Sequence, residues 1–284
     1  MKNITVTVCT LNEEENIQEC INSIKLENPY EIIVVDAEST DDTKNILKKN
    51  NVKLINVEKK GLAYQRKIAI ENVNTEYVCI LDADHRLTEN CLKLLIEELE
   101  KKKYDGIEAQ IQKFNVEKNY WSDSFDINFK LSHNIPRETI MIGTPCVYKT
   151  SVLKKINFDP FFTGPSDDTD LCYRLTKAGF RIGVGSTNIL HKNRTSFKQF
   201  FNKMIWYGKG DAQFIFKHPE RIHRMFFHQL INYPIIKSFK AIRNGYFKVI
   251  IFFISIGIIR FISMIINLIK FILISSKDKK IYRT

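Results

Sequence analysis

The chain has 284 residues, 44% of them hydrophobic and 26% charged, enough for one large globular α/β domain plus an appendage. Its net charge of +11 is lopsided. Residues 186–284 hold 18 Lys and Arg against 3 Asp and Glu, a balance of +15, so the first 185 residues carry −4. Six cysteines (Cys9, Cys20, Cys79, Cys91, Cys146 and Cys172) lie scattered without C-x-x-C spacing, which argues against a disulfide scaffold or a thiolate zinc site and for a reducing compartment.

The first half alternates strand and helix patterns. Met1-Lys2-Asn3 leads directly into Ile4–Cys9, a strand-like run too short for a signal-peptide core. A helix is expected from about Glu13 to Ile24, with Ile17, Ile21 and Ile24 on one face. A strand Glu31–Val35 follows, then N-cap chemistry in Ser39-Thr40-Asp41-Asp42-Thr43 and a helix ending at Lys48-Lys49-Asn50. Next come strand Val52–Val57, helix Leu62–Val73, strand Tyr77–Leu81, and a helix from Thr88 through Lys101. Such alternation predicts an α/β fold with a doubly wound, mostly parallel sheet flanked by helices. Beyond it, Ile107–Phe114 and Ile140–Tyr148 read as strands flanking a stretch that holds Tyr120-Trp121, aromatics suited to a core or to a sugar site.

Ligands of such sheets bind beyond the C-terminal ends of the strands. Three exits present polar groups to that rim: Thr10, Asn12 and Glu13 after the first strand, Asp36 after the second, Asp82 and Asp84 after the fourth. The apolar run Val78-Cys79-Ile80-Leu81 ends abruptly in Asp82-Ala83-Asp84. Charge is expensive inside a buried strand, so both carboxylates belong at its exit, where hard oxygen ligands suit Mg²⁺ or Mn²⁺. An Asx turn closing the strand is the plainer explanation of the triplet taken alone.

A second cluster, Gly164-Pro165-Ser166-Asp167-Asp168-Thr169-Asp170-Leu171, puts a turn before a helix whose apolar side is Leu171, Leu175 and Ala178. Capping and the helix dipole account for one or two acids there; three in four positions exceed that need. Asp168 is the candidate general base, with Asp170 structural and Arg174 helping to orient the group. His191 follows the short strand Arg181–Val184 at the exit of another apolar run, Asn188-Ile189-Leu190, where a neutral imidazole would complete a metal site.

Taken together, these segments resemble the inverting family-2 glycosyltransferases of the GT-A fold. Val6-Thr7-Val8-Cys9-Thr10-Leu11-Asn12-Glu13 resembles the opening strand and its T-x-N-E turn. Ile33-Val34-Val35-Asp36-Ala37-Glu38-Ser39-Thr40-Asp41-Asp42-Thr43 resembles V-D-x-x-S-T-D-x-T, whose first aspartate reads the nucleotide base. Gly61-Leu62-Ala63-Tyr64-Gln65-Arg66 resembles the G-x-x-x-x-R stretch near the diphosphate. Leu81-Asp82-Ala83-Asp84 matches the metal-binding D-x-D, and Asp167-Asp168-Thr169-Asp170-Leu171-Cys172-Tyr173-Arg174 resembles the E-D-x-D-L-x-x-R helix start that carries the base.

The resemblance spans residues 4–210. It departs from the pattern at Glu38 (usually Gly), Lys67 (often Asn) and Asp167 (usually Glu). It implies donor-nucleotide contacts from Thr10, Asn12, Glu13, Asp36, Ser39, Gly61, Arg66 and Asp82; metal ligation by Asp84, Asp82 and His191; catalysis by Asp168; and acceptor or donor-sugar contacts from Asp167, Arg174 and Trp206. The implied substrates are a UDP- or GDP-sugar and a lipid-linked or glycan acceptor, with Mg²⁺ or Mn²⁺ as cofactor.

The remainder is expected to be helical: a catalytic domain over 1–195, an aromatic and basic segment over 196–236 containing Phe197, Phe200, Phe201 and Trp206, and an apolar, basic tail over 237–284. Val249–Ile274 exceeds the ~20 residues needed to span a bilayer but carries Arg260 mid-run and Lys270. Lys237, Lys240, Arg243 and Lys248 flank one side, and Lys277, Lys279, Lys280 and Arg283 the other. This C-terminal region is expected to associate with the cytoplasmic face of a membrane, either spanning it or lying in its interface. Nucleic-acid binding is not expected, because the basic residues are mixed with long Ile and Phe runs. The alternative reading is a non-catalytic module that binds a nucleotide sugar or lipid, against which Asp168 speaks; a sugar nucleotidyltransferase ranks below it, since it should show a Gly-rich phosphate loop where Thr10-Leu11-Asn12-Glu13 stands.

Overall fold

Strand β1 (Ile4–Thr10) is buried end to end, with Ile4, Val6 and Val8 in the main core on one face and Thr5 and Thr7 buried on the other. Both faces must therefore be covered, which is what helices on two sides of a sheet provide. The computed structural model describes residues 3–114 and 119–281, with side chains to Ile274. In chain order there follow α1 (Ile17–Leu26), β2 (Glu31–Asp36), α2 (Thr43–Lys49), β3 (Lys53–Asn56), α3 (Leu62–Glu71), β4 (Tyr77–Asp82), β5 (His85–Arg86), α4 (Cys91–Lys102), β6 (Gly106–Lys113), α5 (Tyr120–Ser132), β7 (Arg137–Thr139), β8 (Cys146–Lys149), α6 (Thr150–Lys155), α7 (Asp167–Lys177), β9 (Ile182–His191), α8 (Phe197–Lys217), α9 (Ile222–Phe227), a π-helical segment His228–Lys237, α10 (Ser238–Arg243) and α11 (Ile250–Ile281). They form two units: the sheet unit of residues 1–116, 132–163 and 167–193, and a helical unit of 117–131, 164–166 and 194–284.

The sheet runs β3-β2-β1-β4-β8-β6-β9-β5, with β7 beside β9. β3, β2, β1 and β4 are mutually parallel, as the alternation predicts. β6 and β9 are also parallel, and antiparallel pairings join this parallel set where β8 meets β4 and β6 and where β5 and β7 meet β9. Reversing β8 has a functional effect. Its entry, not its exit, lies at the C-terminal edge of β4, where Cys146 pairs with Ile80. Residues just before β8 thus reach the rim that holds Asp82. The expected strand Ile140–Tyr148 is ordered as strand only from Cys146, leaving 140–145 free to make that approach. β9 is longer than expected and runs on to His191, and β5 pairs with it so that His85 stands opposite His191.

Two backbone devices set the site. Gly61 precedes α3 at φ +144°, a conformation that L side chains rarely adopt. Gln65, one turn into that helix, donates from its amide to the carbonyls of Thr10 and Val35, both at 2.9 Å, and so ties α3 to two strand ends.

In the helical unit, α11 packs on α8 and on the π-helical segment. Gly208 permits the approach: a β-carbon there would stand 2.5 Å from the Arg260 carbonyl oxygen. Trp121 stacks on Phe200 at 4.9 Å between ring centres, and Phe252 packs on both Phe125 and Phe200, so the Tyr120-Trp121 aromatics serve this core. Arg260 turns inward. Its Nε and Nη2 donate to the buried carboxylate of Asp211 at 2.6 and 2.8 Å, Gln229 donates to the same group at 2.7 Å, and the guanidinium lies over the Tyr207 ring. The opposite side of α11 is apolar and exposed, with Ile251, Ile254, Ile258, Ile262, Ile266, Ile269 and Leu273 at three- to four-residue spacing. The helix spanning Phe247–Ile274 is long and apolar enough to cross a membrane. The side chains of Lys277, Lys279, Lys280 and Arg283 lie outside the described residues.

Two substitutions test these features. Asp211→Ala strands the Arg260 charge and should remove about 3–5 kcal/mol from the unfolding free energy of the helical unit. Gly61→Ala, strained but not clashing, should cost about 1–2 kcal/mol. Denaturant titration of each variant beside wild type reads both numbers.

Candidate active site

The rim is built from the first strand exit upward. Asp36, at the end of β2, is fully buried, and its carboxylate is saturated: Oδ2 accepts from the hydroxyls of Thr10 (2.9 Å) and Ser39 (2.5 Å), and Oδ1 from the Ser39 amide (2.8 Å) with Lys44 Nζ at 3.7 Å. Ser39 Oγ in turn accepts from the Asn12 amide, and Asn12 Oδ1 accepts from the Thr40 amide. Asn12 and Glu38 both take the left-handed conformation at φ 58°, tolerable for Asn and strained for Glu, where the related family usually has Gly. Asp36 therefore fixes this loop; a base reaching it would have to take over one of its four partners. Glu13 holds Asn16 through its carboxylate and Thr43 through its amide, and burial, together with Asp84 and Asp82 nearby, raises its pKa.

Arg66 on α3 joins the next two clusters. It is 4% exposed, with Nη1 donating to Asp167 Oδ2 at 2.8 Å and Nη2 to Asp82 Oδ1 at 3.0 Å. Burial pulls its pKa down, but Asp167 and Asp82 outweigh that and raise it well above the usual arginine value, so it stays charged. One guanidinium has opposite results on its two partners. Asp82 keeps partial solvent access; burial opposes its ionisation, yet Arg66 and His85 hold it below the ordinary carboxylate range. Asp167 is nearly solvent-free, and burial with Asp168 beside it overrides Arg66 and pushes it up to about 6.

Asp82 Oδ2 also accepts from Thr144 Oγ1 at 2.6 Å, so both its oxygens are engaged. The metal-type cluster lies one step on: ligand atoms of Asp84, His85 and His191 fall within 4.8 Å of one another. His85, from the residue after Asp84, joins Asp84 and His191 in this cluster. His191 Nδ1 is paired with Asn193 Oδ1 at 2.7 Å, which puts its ring proton there and leaves the Nε2 lone pair toward Asp84 Oδ2, 3.4 Å away. His85 Nδ1 accepts from the Asp82 amide, and its Nε2 is 3.8 Å from Asp84 Oδ1. Asp84 and His191 fit a divalent ion of the Mn²⁺ kind, and with less preference Mg²⁺; His85, which accepts at Nδ1 and so carries its proton on Nε2, would join them only by giving up the Asp82 amide and moving that proton.

The three acids of α7 divide as follows. Asp170 is fully buried and accepts from Arg174 Nε at 2.7 Å, a bond within the helix. Asp167 holds Arg66. Asp168 is half-buried; its Oδ1 caps the Thr169 amide at 2.6 Å, and its Oδ2 faces Gly143, 3.6 Å from where a β-carbon there would stand. Burial raises the Asp168 pKa, with Arg66 opposing. Trp206 belongs to the helical unit, where its indole packs over Gly164. Sequence reasoning missed His85, Asn193, Thr144 and Glu108. The run Asp82-Ala83-Asp84-His85 was the available signal for the first; the other three are brought to the rim by pairings distant in sequence.

Residues 5–157, more than half of the chain, match Glycosyl transferase family 2. The chain belongs to that family. Curated relatives of this glycosyltransferase include a Staphylococcus epidermidis teichoic acid poly(glycerol phosphate) polymerase, 31% identical over 43% of this chain but only 18% of the polymerase. Another is the Methanococcus voltae dolichyl N-acetyl-alpha-D-glucosaminyl phosphate 3-beta-D-2,3-diacetamido-2,3-dideoxy-beta-D-glucuronosyltransferase, 27% identical over 76% of this chain and 75% of that protein. Among solved structures, the mannosyltransferase PcManGT from Pyrobaculum calidifontis, in complex with GDP-Man and Mn²⁺, is similar with a TM-score of 0.66 at 16% identity, covering 94% of this chain and 87% of that one. S. aureus TarS 1–349 is similar with a TM-score of 0.53 at 21% identity, covering 75% and 65%. The mixed α/β sheet of this glycosyltransferase is GT-A-like, as the sequence motifs imply.

Removing Arg66 isolates two carboxylates at once. Arg66→Ala should cost about 3–5 kcal/mol of stability and raise the Asp167 pKa further. Carboxylate-resolved titration by NMR, with denaturation in parallel, checks both effects.

Proposed function

We propose that this glycosyltransferase moves a sugar from a UDP- or GDP-sugar to a lipid-linked or glycan acceptor, in one inverting displacement, at the cytoplasmic face of a membrane. The observation that carries this reading is the Asp82–Arg66–Asp167 bridge, which fixes the D-x-D exit of β4 against the helix start that bears Asp168. The Methanococcus relative is named for a dolichyl-phosphate-linked acceptor, and the Pyrobaculum neighbour holds GDP-Man and Mn²⁺; TarS is described with UDP-GlcNAc. Those names motivate the substrate classes offered here.

Asp84 and His191 would hold Mg²⁺ or Mn²⁺, which when bound neutralises charge on a leaving diphosphate. Asn193 keeps the His191 lone pair directed at that place. Asp82, fixed by Arg66 and Thr144, borders the donor, while Thr10, Asn12, Glu13, Ser39 and Gly61 shape the nucleotide end. Asp168 takes a proton through Oδ2, and its raised pKa makes it a better base than an ordinary aspartate.

Membrane attachment is supported by the apolar exposed side of α11, by Arg260 being turned inward onto Asp211, and by exposed Arg243 and Lys248 set among Phe239, Ile242 and Phe247. That arrangement suits a helix lying in the interface, its apolar side toward acyl chains and its basic neighbours toward headgroups. Purified protein should sediment with phosphatidylglycerol vesicles far more than with phosphatidylcholine vesicles, and salt should weaken the binding. Equal partitioning into supernatant in both cases would defeat this attachment.

The central test is nucleoside diphosphate release from a panel of nucleotide sugars with Mn²⁺ or Mg²⁺ and mixed glycolipids. Asp168→Asn should lower transfer by about 10²–10⁴-fold while metal-dependent donor binding survives. The wild-type rate should fall as pH drops, with an acid limb above the ordinary carboxylate range, because burial favours protonated Asp168. Wild-type turnover by Asp168→Asn would sink the base assignment.

A further inference from the structure

Glu108 takes no part in the chemistry above, yet it stands beside it. It lies on β6, on the face opposite Ile107 and Ala109, both of which join the main core. The register of β6 against β9 shifts between Glu108 and Gln110, and such irregularities re-aim side chains. The carboxyl is 4% exposed and accepts from the Gly143 amide. A β-carbon on Gly143 would stand 3.6 Å from Glu108 Oε1 and 3.6 Å from Asp168 Oδ2, so the two acids flank one glycine. The cations acting on the pair are already engaged. Arg66 donates to Asp82 and Asp167, and Arg137 donates to the carbonyls of Ile135 and Ser132.

We propose that Glu108 and Asp168 together border the acceptor's attacking oxygen, and that this pair selects a neutral hydroxyl over a phosphate monoester. The inference rests on the transferase reading and narrows its acceptor. A phosphate monoester arrives with about −1.5 to −2 charges and meets ionised Asp168, while Arg66, the buried cation that acts on Asp168, already holds Asp82 and Asp167. Its dianion also has no proton for a base to remove. A hydroxyl fits both acids: its O–H donates to Asp168, and its lone pair accepts from Glu108 in the acid form. Burial is what keeps Glu108 in that form, pushing it up to about 8, with Asp168 adding and the Gly143 amide opposing. In the transfer, the acceptor oxygen bonds to the anomeric carbon as its proton passes to Asp168. The bond from that carbon to the diphosphate oxygen breaks, and its electron pair leaves with the nucleoside diphosphate. Glu108 keeps its proton throughout.

Among the described residues, Asp168, Cys146, Cys172 and Arg137 are titratable groups that act with Glu108; burial pushes the Cys172 thiol up to about 12 and raises the Cys146 thiol well above its usual value. Glu108 is thus the group of this set that ionises just above neutrality, and wild type should lose rate as pH rises through about 8.

The experiment uses the full chain with the donor found above and two acceptors of matched lipid: polyprenyl-diphosphate-linked GlcNAc, which offers hydroxyls, and polyprenyl monophosphate. Transfer is expected to the first by at least about 100-fold over the second (~2.7 kcal/mol). Glu108→Gln, a neutral donor of the same shape, should lose the alkaline limb. Glu108→Ala should raise the acceptor KM or lower kcat roughly 10-fold or more with donor binding intact, a loss the Gln variant does not share; should the Ala variant not fold, the Gln profile carries the test. A sugar-1-phosphate polyprenol product in preference to the glycan product, or an unchanged alkaline limb in Glu108→Gln, would overturn the proposal. Calorimetric donor binding with metal reports separately on the transferase reading, whose failure would appear as no donor bound by wild type.

Discussion

Arg66 is the group on which the sheet unit's chemistry depends. One buried guanidinium receives a carboxylate from the end of a strand, Asp82, and another from the start of a helix, Asp167, which lies 101 residues from Arg66 in sequence. A buried ion pair adds little net stability, because desolvation offsets attraction, but it fixes geometry strictly. Lysine, with a single compact charge, could not serve both partners along fixed directions as a planar fork does. The bridge also explains why neighbouring aspartates behave differently. Asp82, partly in water, is kept ionised; Asp167, out of water, is driven toward its acid form; Asp168 next to it is raised by its own burial, with Arg66 opposing.

Around this bridge the rim is assembled from groups whose own second partners hold them still. Asp36 organises Thr10, Ser39 and, through Ser39, Asn12. Gln65 joins two strand ends. Asn193 sets the His191 tautomer. Such support keeps reacting groups in place before a substrate arrives, which is where much of an enzyme's electrostatic advantage originates. The helical unit follows the same rule elsewhere, with Asp211 collecting Arg260 and Gln229 in its interior.

Much of this was legible in the residues. Apolar runs that stop at Asp36 and at Asp82 announce strand exits, and the strand–helix alternation places those exits on one edge. The crowding of Asp167, Asp168 and Asp170 at a helix start was legible too. What pattern reading could not supply was strand direction. Nothing local to Cys146–Lys149 reveals that β8 runs backward, and only that reversal brings Gly143 and Thr144 to the rim. His85 was visible next to the D-x-D, but its value depends on pairing with His191 across more than a hundred residues. Glu108 reads as one of three polar residues, with Gln110 and Gln112, that alternate along its strand, and its meaning appears only with its neighbours in space. Arg260 shows the opposite case: a charge that looks costly in an apolar helix is satisfied by an aspartate on another helix.

The cysteines carry a practical consequence. Five of the six are buried, and Cys9 is half-covered. Burial raises the thiol pKa of each of the six, so at neutral pH almost none is the thiolate that reagents attack. Cys20, Cys79 and Cys91 sit in the main core, while Cys146 and Cys172 border the Glu108 side. Alkylation therefore becomes a clock for opening. The order in which the six thiols are captured by a slow electrophile would chart which parts of the sheet unit breathe first, using reporters that the native chain already contains.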